Sequence, residues 1–367
     1  LCASSLSEPT IGPNSDTQSD DHFDVLLWTG NGSNAGDSQE INGLSFTPDL
    51  VWTKGRGGDG SNPASGQQYH ELHDSVRGAG KRLFSNDTAA ESDVQTLTSF
   101  DNDGFTVAMG TGAQSGTNQN TTTMVGWSWK AGGTAVSNTD GSITSSVSAN
   151  QDAGFSIVSW VGNATTGATV GHGLAEKPEM IIVKNRDSAQ IWTVWNKDLT
   201  SEYVLYLNTT NAQNGSPASF GTHTNQVIGV DADTATNGSG HDIIAYCFHS
   251  VEGFSKVGKY EGNSSADGTF VYLGFRPAWI MLKKIDSTAY NWNIHDTARD
   301  TTNPDATSLF ADSNVVENGI GTASDWQVDM LSNGFKLREN TNYINQSSKT
   351  VIYLAFAEMP FKYANGR

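Results

Sequence analysis

Residues able to do chemistry fall at a few places in the chain. "HELHD" begins at His70 and sets two histidines among acids. Side chains three apart on a strand point to opposite faces, so His70 and His73 make a poor zinc pair. "HDSVR" from His73 and "HDTAR" from His295 each put a Ser or Thr two residues from a His, which invites a nucleophile reading. The reading we favour is a strand end whose Asp and Arg tie down the following turn, because "WNKDL" occupies the corresponding place elsewhere in the chain. "FDNDGF" places Asp101 and Asp103 as in half a calcium loop, but the acid that would complete the loop is missing. Its "NDG" suits a turn with positive φ at Gly104. "GRGGDG" from Gly55 fits G-x-G-x-x-G, yet "SNPASGQQ" follows and cannot start the helix that a phosphate cradle needs. Trp192, Trp195, Trp279 and Trp292 have two uses, filling cores or stacking on sugars. Of these, Trp192, Trp195 and Trp292 are the candidate glycan-binding residues. No catalytic residue, metal or cofactor is expected.

Lys54, Lys184 and Lys283 share a context. Each stands six residues after a Pro, in "PDLVWTKGR", "PEMIIVKNR" and "PAWIMLKKI". A strand-end Lys is expected to snorkel over apolar neighbours and pair with an acid. The strings belong to a longer repeat. "FDVLLWTGN", "FSIVSWVGN" and "FSKVGKYEGN" precede them; "YHELHDSVR", "IWTVWNKDL" and "NWNIHDTAR" follow; "MVGWSWKA", "IIAYCFHS" and "VIYLAFAE" close each copy. Recurrence at this spacing is the mark of an internal repeat.

The repeated elements are short, rich in Val, Ile, Tyr, Phe and Trp, and bounded by Gly, Asn, Asp and Pro, which predicts strands. "LVW", "MIIV" and "WIML" are apolar on both faces, as a strand in the middle of a sandwich must be. Leu50, Met180 and Ala278 are expected to begin the buried part, with Val51, Ile181 and Trp279 facing the opposite way. Trp52, Ile182 and Ile280 are then expected at equivalent core positions. The fold class is all-β: three tandem β-sandwich, jelly-roll-like modules with long polar loops and very little helix. The one plausible helix is a turn near "DTAAESDVQTL". The expected division is 1–22 as an N-terminal linker, 23–132, 155–253 and 254–367 as modules, and 133–154 as a Ser/Thr/Asn-rich linker or surface loop.

Composition limits the partners. The 367 residues carry 21 basic and 39 acidic side chains, a net charge of -18. That balance repels nucleic acid and anionic membranes. No apolar run is long enough for a transmembrane helix. The start, "LCASSLSEPT", has neither the basic region nor the apolar core of a signal peptide, and without an initiator Met the chain is expected to be a fragment or a processed product. Cys247 in "IIAYCFHS" is expected to be free and buried rather than joined to Cys2.

Several phrases carry a family resemblance: "HDSVRGAGKRLFSNDTAAE", "LTSFDNDGFTV", "AYCFHSVEGFSKVGKYEGN" and "AFAEMPFKYANGR". From Phe23 to Arg367 the chain resembles a repeat-built β domain of marine tailed-bacteriophage virion proteins, described as tail fibre or other tail-associated structural proteins. "LCASSLSEPTI" also resembles the end of a lectin-like sandwich that precedes this domain in some of them. The resemblance implies a non-enzymatic component on the external surface of the particle, in the tail, assembled as a homotrimer with other virion proteins. It carries over no catalytic residues and no ligand. Rival readings are a capsid decoration or fibre protein, a glycan-binding adhesin module contacting host surface glycan, and a polysaccharide depolymerase, which would need two carboxylates at a set separation in a groove.

Overall fold

The computed structural model describes residues 10–12, 17–57, 68–110, 116–216 and 218–358. Three large sheets carry the fold. The first runs, in spatial order, Phe23–Thr29, Thr123–Trp129, Leu50–Gly57, Glu71–Asp74, Lys81–Phe84 and Ser92–Asp93. In the second, Phe155–Val161, Asp242–Phe248, Met180–Asn185, Thr193–Asn196 and Tyr203–Tyr206 take the same order, followed by Asn214–Gly215. The third is Ser255–Glu261, Thr350–Ala357, Pro277–Lys284, Asn293–Asp296 and Leu309–Phe310. In each, the closing strand inserts between the opening strand and the Pro-to-Lys strand, and the central ladders are antiparallel.

A small sheet covers the outer face of each large one: Ser38–Asn42, Gly104–Ala108 and Leu97–Asp101; Ala168–Gly171 and Val227–Val230; Phe270–Tyr272, Gly334–Leu337 and Val328–Leu331. The chain is therefore all-β and sandwich-built. Val51 packs outward with Phe105 and Val107, Ile181 with Ile228 and Val230, and Ile280 with Val328 and Phe335. The inner faces do not form separate cores. Trp52, Trp127 and Trp129, Ile182, Tyr246 and Phe248, and Trp279, Met281 and Phe356 belong to one continuous cluster shared by all three sheets. The double-faced apolarity of the Pro-to-Lys strands follows, since one face meets this shared core and the other the small sheet.

Four expectations are corrected. In the third sheet the register shifts between Pro277 and Trp279, where Ala278 bulges. Trp279 then pairs with Phe356 as Leu50 does with Trp129, and Met281 stands where Trp52 and Ile182 stand. Ile280 is buried, but it faces the small sheet.

Residues 133–154 are not a loose connection. Val136–Asn138 and Ser145–Asn150 form a hairpin laid on the edge of Phe155–Val161, with Val147 buried. Its Ser-rich composition reads as loop, whereas its alternation suits an edge strand. The segment 87–97 is not helical either. Ser92–Asp93 pairs with Lys81 and Arg82, and Glu91 donates its backbone N–H to Arg186 O at 2.7 Å, so local backbone bonding is spent on other strands. Among the described residues the one α-helix is Thr234–Asn237. Finally, Gly104 serves a close approach rather than a left-handed turn: a Cβ there would lie 1.9 Å from Ile41 O.

The expected N-terminal linker contributes Ile11 to the shared core. Cys247 is free and buried, its thiol pushed up to about 12 by burial, and Cys2 lies outside the described residues.

Candidate functional site

The repeated Lys residues are fully buried and reach across the seams between sheets. Lys54 Nζ donates to Gly55 O at 2.9 Å and to Asn314 O of the third sheet's loops at 3.3 Å. Lys184 Nζ donates to Asn185 O, to Ser188 O and, at 3.2 Å, to Thr88 O beside the first sheet. Lys283 Nζ donates to Tyr290 O and, at 3.4 Å, to Thr209 O beside the second. The relation is cyclic, first to third, second to first, third to second. Burial pulls Lys54 down to about 7 and Lys184 and Lys283 down to about 8. The expected acid partner is replaced by carbonyls.

The aromatic residues follow the same cycle. Trp192 Nε1 donates to Phe84 O at 2.7 Å, and Trp292 Nε1 to Tyr206 O at 2.9 Å. His70 holds the matching place in the first sheet, accepting from Trp52 Nε1 at 2.9 Å, and nearby Ser85 Oγ donates to Ala311 O of the third at 2.6 Å. Trp192 and Trp292 are 0% and 1% exposed, as is Trp279 at 0%, so these rings cannot stack on a sugar. Burial against a neighbouring sheet overrides the glycan expectation for Trp192 and Trp292. Trp195 is partly exposed, but His223 meets it edge-on at 4.3 Å and Lys177 Nζ lies 5.6 Å from its ring. The structure does not bring the three rings together on one surface.

"HDSVR" and "HDTAR" are turn locks. Asp74 accepts from the backbone of Val76 and Arg77 and from Arg77 Nε at 2.5 Å. Asp296 binds Arg299 in the same way, and also accepts from Trp127 Nε1 at 2.9 Å. Burial opposes the Arg77 charge, yet the Asp74 and Glu91 carboxylates hold it. Ser75 Oγ donates to Asp49 at 2.7 Å, so it is not aimed at His73. His73 instead meets Glu71 at 3.4 Å in a buried group completed by Arg82 and Thr96. Burial raises the Glu71 carboxyl, but His73 and Arg82 outweigh it and hold the group below the usual range. Asp101 accepts from Thr106 Oγ1 at 2.8 Å. Among the described residues no three His, Cys, Asp or Glu side chains converge as metal ligands. Of the Gly-rich run from Gly55, residues 58–67 lie outside the described residues.

One surface feature escaped sequence reasoning. Phe270 and Tyr272 project from the edge strand of the third small sheet, 43% and 61% exposed, with Val271 between them turned inward. Lys256 Nζ donates to Tyr272 O at 2.9 Å and lies 5.4 Å from the Tyr272 ring centre. The signal was available in the alternation of "TFVYLGF", but an apolar string of that kind reads first as core.

These features define an all-β body of three sandwiches closed around one core, with its distinctive charged and aromatic residues placed at the seams. The chain belongs to the family described as a domain of unknown function (DUF7483), whose model matches residues 18–360. No curated protein and no solved structure matches it.

Proposed function

We propose that the chain is a non-enzymatic structural component of a bacteriophage particle, a tail fibre or surface projection that contacts the host. The observation that carries this reading is the employment of the reactive residue types. The repeated buried Lys side chains and the Asp-Arg pairs of the two turns, which could serve chemistry, are engaged in locking sheets and turns. Such a body suits a mechanical, exposed role, and the resemblance of residues 23–367 to phage virion proteins supplies the setting. Its partners are then other virion proteins and further copies of itself in a homotrimer. Immunogold labelling and mass spectrometry of purified particles test the assignment. Label at the tail is expected, and a chain missing from purified particles overturns it. Light scattering tests the assembly, with an expected mass of three times the 39.2 kDa chain. A capsid position is the alternative that labelling would detect.

A second reading, a glycan-binding adhesin module, is favoured by the exposed aromatic pair on the third small sheet.

A further inference from the structure

The three small sheets can be compared position by position. Ile41 pairs with Phe105, Val170 with Ile228 and Val271 with Phe335, so these three inward residues correspond. The outward neighbours are Glu40 and Asn42 in the first sheet and Thr169 and Gly171 in the second, but Phe270 and Tyr272 in the third. The fold does not require aromatic rings at these places, since two of its three sheets manage without them. Isolated exposed apolar side chains are ordinary on protein surfaces. Two rings at i and i+2 on one strand face are different, because they form a continuous strip about 6.6 Å along the strand, twice the rise per residue.

The charge beside the strip narrows the ligand. In a chain of net charge -18, Lys256 stands against the Tyr272 ring and is held by a carbonyl. Among the described residues no carboxylate forms an ion pair with it. The neighbouring cations Lys336 and Arg338 are committed to Asp267 and Asp329. An aromatic strip with one uncommitted cation at its side fits a sugar chain that offers C–H faces to the rings and an anion to the ammonium. We infer that Phe270, Tyr272 and Lys256 form a binding site for an acidic polysaccharide, of the uronate class. This deepens the host-contact reading above and rests on it.

The test uses the full chain and two probes, polygalacturonate and neutral dextran, in isothermal titration at low and at physiological salt. Wild type is expected to bind polygalacturonate more tightly than dextran, and less tightly as salt rises. Replacing both rings, Phe270→Ser with Tyr272→Thr, is expected to weaken binding about tenfold or more, and Lys256→Gln to weaken polygalacturonate alone. Phe270 and Tyr272 are exposed and Lys256 is half-buried, so the unfolding midpoint should hardly move, and calorimetry checks that it does not. Unchanged binding in the double variant overturns the site. Equal affinity for dextran, or no effect of Lys256→Gln, overturns the acidic assignment. No binding by wild type at millimolar sugar units overturns the inference, as does self-association that the double variant abolishes, which would mark the strip as a contact between copies. Particle labelling is read separately: a labelled tail with no sugar binding sinks only this inference, while sugar binding by a chain absent from particles sinks only the virion assignment.

Discussion

Replacing Trp52 with Ala tests the shared core most directly. Trp52 is 3% exposed and meets Trp127 and His70 edge-on at 5.8 and 5.7 Å. Removing a large core aromatic costs about 3–5 kcal/mol. The change also strands His70 Nδ1, the acceptor of the Trp52 indole, which adds roughly 1–3 kcal/mol. Even about 4 kcal/mol, the low end of the two costs together, has different thermal consequences in two cases. If all three sheets melt together, the unfolding entropy of the whole chain is roughly 0.8 kcal/mol/K and the midpoint falls about 5 °C. If the first sheet pair melted alone, with about 110 residues, the same loss would lower its midpoint about 17 °C and split it from the rest. Differential scanning calorimetry separates the cases. One transition lowered by about 5 °C is expected, because Trp52 shares its core with Ile182, Tyr246 and Trp279. A separate early transition, or a loss below about 1 kcal/mol, would refute the shared-core argument.

Two other outcomes follow. Lys54, Lys184 and Lys283 titrate near 7, 8 and 8 when folded and near 10.5 when unfolded. Between about pH 8 and 10 the unfolded chain binds protons that the folded chain releases, so stability should rise with pH and its lysine share should vanish below about pH 7. Tyr246 and Tyr260, raised by burial, have the opposite sign above about pH 10, so denaturant midpoints should peak near pH 9 to 10, and Lys54→Met should flatten the rise. Gly162→Ala should destabilise by about 1–3 kcal/mol, because its Cβ would lie 2.3 Å from Gly238 O, whereas Gly57→Ala, with nothing within 4 Å, should stay within about 0.5 kcal/mol in the same chemical denaturation series.

Much of the fold was legible because strands announce themselves locally. The Pro-to-Lys strings, the Gly-Asn strand ends and the Asp-to-Arg turn locks all involve residues close in sequence. What escaped depends on distant backbone. No sequence signature shows that the acceptors for Lys184 include Thr88 O, since any residue has a carbonyl. The Gly-Asn pairs were visible, but their partners were not. Asn31, Asn163 and Asn263 each donate a backbone N–H at 3.0 Å to the side chain of Asn118, Asn237 or Asn345, roughly eighty residues away. The glycan candidates Trp192 and Trp292 failed for a related reason. A Trp in an alternating strand is equally compatible with solvent and with a seam between sheets, and composition does not choose between them.

The three seams are closed by unequal means, and the difference yields a last prediction. Arg186 holds Glu91 with two bonds, at 2.9 and 3.0 Å, across the seam of the first and second sheets. Arg56 holds Glu317 in the same way across the seam of the first and third. At the remaining seam the corresponding residues are Ile285 and Gln213, joined only through Gln213 N to Ile285 O at 2.8 Å. That seam lies between sheets whose strands Asp242–Phe248 and Ser255–Glu261 are almost continuous in the chain. A short covalent connection keeps its two sides at high effective concentration, so little further attraction is needed. The first and third sheets have no such direct connection, so their seam depends on side chains. Glu317→Gln should therefore cost roughly 1.5–3 kcal/mol, the usual worth of a charged hydrogen-bonded contact. It should also speed exchange of the Glu317 amide, which donates to Arg56 O at 2.9 Å, while leaving the Gln213 amide nearly unchanged. Hydrogen exchange read by mass spectrometry checks both. Equal acceleration at the two amides would mean that the ion pair does not close the first-to-third seam and that connectivity is not what spares the other.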